Sequence, residues 1–235
     1  MKTSTVWSRK WKRKSMGIIP ESHASRLKTD LAKNLVNPVK VTVFTQEMEC
    51  QYCKETRELV NEISSLNNKI QPQVLDFIKD KEKAAEYGVD KVPAIIIEGS
   101  KKSRVRFYGV PAGYEFNTLI KDVILASRGE TELTAETKRK LSGIKSPVHV
   151  KVFVTPTCPY CPGMVSLAHQ FAMENENITA DMIEISEFPQ LSIKYNVSGV
   201  PKTVINESVE VLGMQPEEEF VRQLETATKR SPTYA

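Results

Sequence analysis

Apolar and polar residues alternate over Val39-Lys40-Val41-Thr42-Val43-Phe44 and again over Val148-His149-Val150-Lys151-Val152-Phe153, the two-residue period of a strand. Elsewhere the period lengthens to that of a helix. Leu27, Leu31 and Leu35 recur every four residues and predict a helix over about Glu21 to Asn34, and Leu59, Val60, Ile63 and Leu66 share one face of a helix from Cys53 to Leu66. A strand over Gln73 to Ile78, a short helix ending near Tyr87 and a strand pair, Ala94 to Ile97 and Arg104 to Tyr108, follow. Phe116, Leu119, Ile120, Val123 and Ile124 mark a closing helix, after which Ala126 to Lys145, with a helix over Glu132 to Lys140, forms a connection. The second half repeats the order, with a strand to Phe153, a helix over Pro159 to Met173 and a strand near Asp181 to Ile185. A helix to Tyr195, two strands over Lys202 to Leu212 and a helix from Glu217 complete it. The pattern is βαβ then ββα, twice, with a helix in front of each copy.

The two copies keep register residue by residue. Asn37 to Phe44 aligns with Ser146 to Phe153 at an offset of 109. The offset is 108 from the cysteines through Glu86-Tyr87-Gly88-Val89 against Lys194-Tyr195-Asn196-Val197, and 104 where Gly109 and Phe116 meet Gly213 and Phe220. A period above 100 residues is a whole domain, not a solenoid unit. The 235 residues accordingly divide into a basic extension over 1–15, a first unit over 16–128, a second over 129–230 and a tail over 231–235.

Charge is concentrated at one end. Lys2, Arg9, Lys10, Lys12, Arg13 and Lys14 give residues 1–15 a charge of +6, and since the chain carries +4 overall, the body carries about −2. A body of that charge has no basic bias toward nucleic acid. The extension is either a disordered tail or a stretch upstream of a start at Met16. Its charges are followed only by Met16-Gly17-Ile18-Ile19-Pro20, too short for the apolar run of a signal peptide. No apolar run reaches 18 residues, so no membrane span is expected, and the expected location is the cytoplasm. In that setting the Asn-x-Ser/Thr sequences at Asn177, Asn196 and Asn206 carry no meaning.

The chemistry lies in the cysteines. All four fall in two pairs, Cys50-Gln51-Tyr52-Cys53 and Cys158-Pro159-Tyr160-Cys161, and each first cysteine is followed 43 residues later by a proline, in Val92-Pro93 and Val200-Pro201. Each pair sits between a strand and a helix, where unpaired N–H groups and the helix dipole favour a thiolate. Cys50 and Cys158 are the expected exposed nucleophiles, with Cys53 and Cys161, one turn further in, resolving the mixed disulfide. Glu47 and Glu49 oppose the Cys50 anion and Lys54 and Arg57 favour it, whereas no Lys, Arg, Asp or Glu occurs from Val152 to Ala172. The two pairs are therefore expected to differ in reduction potential. Two Cys-x-x-Cys pairs also make a tetrahedral zinc site, but here the separation far exceeds the usual 15 to 20 residues. His23, His149 and His169 have no ligand spacing and read as surface or boundary residues.

Each half resembles a thioredoxin-fold unit of glutaredoxin type, on the strength of its Cys-x-x-Cys and facing Val-Pro. The tandem, with Phe107-Tyr108-Gly109-Val110-Pro111-Ala112-Gly113 closing the first sheet, resembles the two-unit protein disulfide oxidoreductases of hyperthermophiles. The resemblance implies an α/β fold of two tandem thioredoxin-fold units, each a mixed four-stranded sheet flanked by helices with an extra helix in front. It implies cis peptides at Pro93 and Pro201, with the Val92 and Val200 backbone holding an extended substrate segment. It also implies reduction, formation and isomerisation of protein disulfides, with no bound cofactor and with NADPH electrons arriving through a thioredoxin reductase. An alternative is an electron relay dedicated to one peroxidase such as a peroxiredoxin. The pattern departs from thioredoxins in more than one respect: the tryptophan beside their first cysteine is absent, since Trp7 and Trp11 lie in the extension. Their buried aspartate is replaced by Phe44 and Val152, which leaves the proton acceptor for the resolving cysteine unassigned. Asp76 and Glu184, matched in the repeat, read as exposed strand ends, and Tyr52 and Tyr160 as packing and rim residues.

Overall fold

The computed structural model describes residues 17–100 and 104–230; Trp7, Trp11 and the basic extension lie outside them. The first repeat runs α1 (Glu21–Asn34), β1 (Val39–Thr45), α2 (Cys53–Leu66), β2 (Ile70–Asp76), α3 (Lys81–Tyr87), β3 (Ala94–Glu98), β4 (Arg104–Tyr108) and α4 (Glu115–Arg128). The second runs α5 (Ala135–Ser142), β5 (Val148–Val154), α6 (Cys161–Glu174), β6 (Ile178–Glu184), α7 (Pro189–Lys194), β7 (Lys202–Ile205), β8 (Val209–Leu212) and α8 (Glu217–Arg230).

Each repeat places its first strand beside its second in parallel and its third antiparallel to the first. The two four-stranded halves then join: β4 pairs with β6 in parallel, Arg104 opposite Thr179 through Tyr108 opposite Ile183, giving one sheet in the order β2-β1-β3-β4-β6-β5-β7-β8.

Alternation along the strands fills both faces. Val39, Val41 and Val43 of β1, Ile95 and Ile97 of β3, Phe107 of β4, and Val150 and Val152 of β5 enter one cluster with α1, α2, α4, α5, α6 and α8. Phe44, Ala94, Ile96, Tyr108, Phe153 and Ile183 point the other way, under α3 and the Phe188–Tyr195 segment. Each such fully buried large side chain contributes about 1.5–3 kcal/mol.

Local boundaries differ from the sequence expectation at several places: β6 begins early, at Ile178, and three others have a clear local cause. β2 starts at Ile70, with Pro72 inside it opposite Val41, because β2 is an outer strand and only such a strand tolerates a residue with no N–H. The connecting helix starts at Ala135, where Thr134 caps it by accepting the Thr137 N–H at 3.2 Å. The second cysteine helix starts at Cys161, so that only its inner cysteine is helical. Among the described residues no helix is long and apolar enough to cross a membrane.

Candidate active site

Both cysteine pairs are closed as disulfides, Cys50–Cys53 and Cys158–Cys161, each with Cα atoms 5.5 Å apart. The loop that leaves β1 brings Cys50 to the surface edge, half-buried, while Cys53 opens α2 at 3% exposure and accepts the Gln46 N–H on Sγ at 3.4 Å. Thr56 ties the same turn, its hydroxyl donating to the Tyr52 carbonyl at 2.8 Å. Around this centre Arg57 pairs with Glu47 at 3.5 Å and Lys54 reaches Glu58 at 4.0 Å, so only one of the two cations opposes the acidic loop.

The second pair is more enclosed. Cys158 is 7% exposed and Cys161 fully buried, so the exposed nucleophile expected at Cys158 is sheltered in the oxidised state. The Cys161 N–H donates to Cys158 Sγ at 3.1 Å, and that sulfur lies 3.7 Å from the Val200 carbonyl oxygen. The peptides Val92–Pro93 and Val200–Pro201 are both cis, and β3 and β7 begin directly after the two prolines. Tyr160 is exposed at the rim of a groove of about 520 Å³ lined by Val200, Pro201, Gly213 and Met214.

A buried polar group beside this centre comes from the first repeat. Helices α4 and α6 pack together, and His169 Nδ1 meets Asp122 Oδ2 at 2.6 Å, both side chains fully buried. At the other end of the two helices, the Tyr114 N–H donates to the Pro156 carbonyl at 3.2 Å. Gly113 is required there, because a Cβ would stand 2.2 Å from that same oxygen. The helices thus run side by side in the same direction, and two turns back from the Asp122–His169 contact Glu115 comes opposite the start of α6, where Cys161 lies. Glu115 is 2% exposed and neither carboxylate oxygen has a partner; the Thr118 hydroxyl stands beside it short of a formed hydrogen bond. Burial pushes the carboxyl up to about 7, against the pull of Thr118 and His169. Burial also raises Asp122, which His169 opposes.

Sequence reading missed this cluster. His169, expected at a surface or boundary, is fully buried, with the Phe107 ring edge-on at 4.7 Å between centroids. His149 is also engaged, its Nε2 at 2.6 Å from Asp181 in the seam between β4 and β6. Glu184 is not an exposed strand end: it is 3% exposed and accepts the Ser186 and Glu187 N–H groups, because β6 is interior to the joined sheet. Asp76, its counterpart on outer β2, accepts from Ile78 and Lys79 and remains half-exposed. Among the described residues no cluster of three or more His, Cys, Asp or Glu could hold a metal.

Comparison with known proteins places this geometry. A protein disulfide oxidoreductase from Aeropyrum pernix K1 is 32% identical and superposes with a TM-score of 0.84 over 89% of this chain and 93% of that one. The alkylhydroperoxide reductase AhpF (C503A mutant) from Enterococcus faecalis shares the fold, with a TM-score of 0.81 at 24% identity over 88% of this chain and 99% of that one. Among curated proteins, the alkyl hydroperoxide reductase AhpF of Staphylococcus epidermidis is 26% identical over 153 residues, 65% of this chain and 27% of the relative. The chain therefore spans about a quarter of the length of the curated relatives it matches first. The family model described as Thioredoxin domain matches twice, over residues 39–121 and 148–226, and the chain belongs to the thioredoxin-domain family, with two such units in one polypeptide.

Proposed function

We propose that the chain is a protein thiol–disulfide oxidoreductase acting through two units, 16–128 and 129–230, with Cys50 and Cys158 as nucleophiles and Cys53 and Cys161 as resolving thiols. The observation that carries this reading is the Cys161 N–H aimed at Cys158 Sγ at 3.1 Å. A donor already in place at the sulfur stabilises the thiolate that attacks. In reduction, the Cys158 thiolate attacks one sulfur of a substrate disulfide and the other sulfur leaves as a thiolate. Cys161 then loses its proton and attacks Cys158, releasing the second substrate thiolate and closing the Cys158–Cys161 disulfide. Glu115 accepts the Cys161 proton, which supplies the group that the strand before the cysteines does not carry. Val92, Pro93, Val200 and Pro201 form the turns that hold an extended substrate segment. Electrons come from outside the chain, from NADPH by way of a thioredoxin reductase, in the cytoplasm.

A second reading, an electron relay serving one peroxidase, is favoured by the 26% identity to the Staphylococcus epidermidis alkyl hydroperoxide reductase. The test is dithiothreitol-driven reduction of insulin disulfides by the intact chain and by Cys50→Ser/Cys53→Ser and Cys158→Ser/Cys161→Ser variants. The intact chain is expected to accelerate the reaction, with the larger loss in the second variant. No acceleration by any of the three would reject general disulfide reduction in favour of the dedicated relay.

A further inference from the structure

The loop after β6 carries a carboxyl group of the second unit to the first centre. Glu187 accepts the Val110 N–H at 2.7 Å, and the neighbouring Gly109 N–H donates to the Pro93 carbonyl at 3.1 Å. A Cβ on Gly109 would lie 2.9 Å from Glu184 Cβ and 3.0 Å from the Glu187 carboxyl carbon, so a glycine, here at φ +92°, is what permits the approach. The other carboxyl oxygen, Oε2, is buried with no partner. Glu55, in the first turn of α2 just after Cys53, acts electrostatically on the same group. The carboxyl is therefore held between the Pro93 turn and the helix end that bears Cys53.

The repeat shows that this is specific to the first centre. At the second, the Gly213 N–H donates to the Pro201 carbonyl at 2.8 Å, but a Cβ on Gly213 would meet nothing within 4 Å. That space is part of the open groove beside Tyr160. The residue that repeats Glu187 is Lys79, exposed beyond the outer strand β2, where no further strand brings it against a second cysteine pair.

We propose that Glu187 is a positioning residue of the Cys50–Cys53 centre, through which the second unit sets the pH range over which the first dithiol is reduced. The inference rests on the dithiol reading above. The charged groups acting on Glu187 are Glu184 at the end of β6 and Glu55 on α2. Burial raises its titration to about 7, the Val110 N–H opposes this, and Glu184 and Glu55 add to it. Once ionised, Glu187 adds negative charge at the Pro93 turn, on the side of a centre whose sulfur must itself become an anion. Above neutral pH the reduced form therefore loses stability relative to the disulfide; below it, with the carboxyl neutral, it does not.

The test uses the full chain carrying Cys158→Ser/Cys161→Ser, equilibrated with reduced and oxidised dithiothreitol. Two electrons pass from the dithiothreitol thiols, which close to a cyclic disulfide, to the Cys50–Cys53 bond, which opens. Of the two protons released, one goes to Cys53 and the other to Cys50 or to solvent. Adding Glu187→Gln keeps an acceptor for Val110 but removes the charge. The expected result is equal equilibrium constants near about pH 5.5 and a variant more easily reduced by roughly tenfold near about pH 8.5. Equal constants at every pH overturn the proposal, and so does an offset of the same size at every pH, which marks packing alone. Glu187→Gln in the Cys50→Ser/Cys53→Ser chain should leave the Cys158–Cys161 constant unchanged; an equal shift there also overturns it. Failure of Cys50–Cys53 to exchange with dithiothreitol in the Glu187-bearing chain instead rejects the dithiol reading itself.

Discussion

A carboxyl group sealed from water stays protonated until pH forces it, and Glu115 carries that cost into the folded state. Its titration near about 7 lies above the ordinary value of 4.5. Below the lower value the carboxyl is protonated folded or unfolded, so stability is at its full level. As pH rises toward 7 the unfolded chain ionises freely while the folded chain resists, and stability falls across that window before levelling. Glu115→Gln should remove its share of the fall, on the order of 3 kcal/mol, when chemical denaturation is compared at the two ends of the window. The same substitution, in a chain with only the second cysteine pair, should slow insulin reduction by on the order of 10²-fold. Unchanged pH dependence in denaturation would show that Glu115 ionises as freely folded as unfolded. The pairing of Cys50 with Cys53 and of Cys158 with Cys161, and the cis prolines, were legible because each recurs as fixed residues at fixed spacing. Asp122 and His169 were not, because each acquires its partner from the opposite repeat, and Glu115 was not, because its helix is covered by α6 of the opposite repeat.

At the scale of elements, the seam between β4 and β6 is held by more than ladder bonds. Arg106 Nε and Nη2 donate to the two Asp181 oxygens at 2.6 and 3.0 Å, with the Arg106 side chain 8% and Asp181 1% exposed. Burial alone would raise the Asp181 carboxyl; the His149 hydrogen bond and the Arg106 charge outweigh it and hold it well below the usual range. Removing one partner strands the other as a buried charge. Asp181→Asn is expected to cost about 3–5 kcal/mol in chemical denaturation, and Arg106→Met/Asp181→Leu to recover most of it. A loss below about 1 kcal/mol would place the pair among screened surface bridges. Alternation in the sequence revealed the strands and their order within each repeat, since only one register keeps the valines of β1 and β5 buried. The joining of the repeats was hidden, because an edge strand does not declare what it pairs with. One signal was present: Arg106 and Asp181 interrupt apolar strands, and a charge in such a place needs a partner.

At the scale of the molecule, the same seam makes one core out of two repeats. Helix α6 carries no Lys, Arg, Asp or Glu before Glu174, and Met164, Val165, Ala168, His169, Phe171 and Ala172 are all fully buried. A helix apolar on nearly every side must be covered on nearly every side, and here β5 and β6 lie on one flank and α4 of the first unit on another. The uncharged stretch from Val152, which the sequence offered as a difference in the surroundings of Cys158, is equally the mark of that enclosure. Cutting between residues 128 and 129 would strip α4 from α6, expose Phe107, and open both β4 and β6 as unpaired edges. Such edges recruit other chains. Each fragment made alone is therefore expected to self-associate on size-exclusion chromatography, and the two mixed to elute as a single one-to-one complex. Monomeric fragments that each unfold cooperatively would mean instead that every repeat closes its own core and that the seam is only a contact between finished domains. Glu115 and Glu187 could then reach the opposite centres only while the two domains stay docked, and cutting the linker should, in proportion to dissociation, lower activity at the second cysteine pair and make the first more easily reduced above neutral pH.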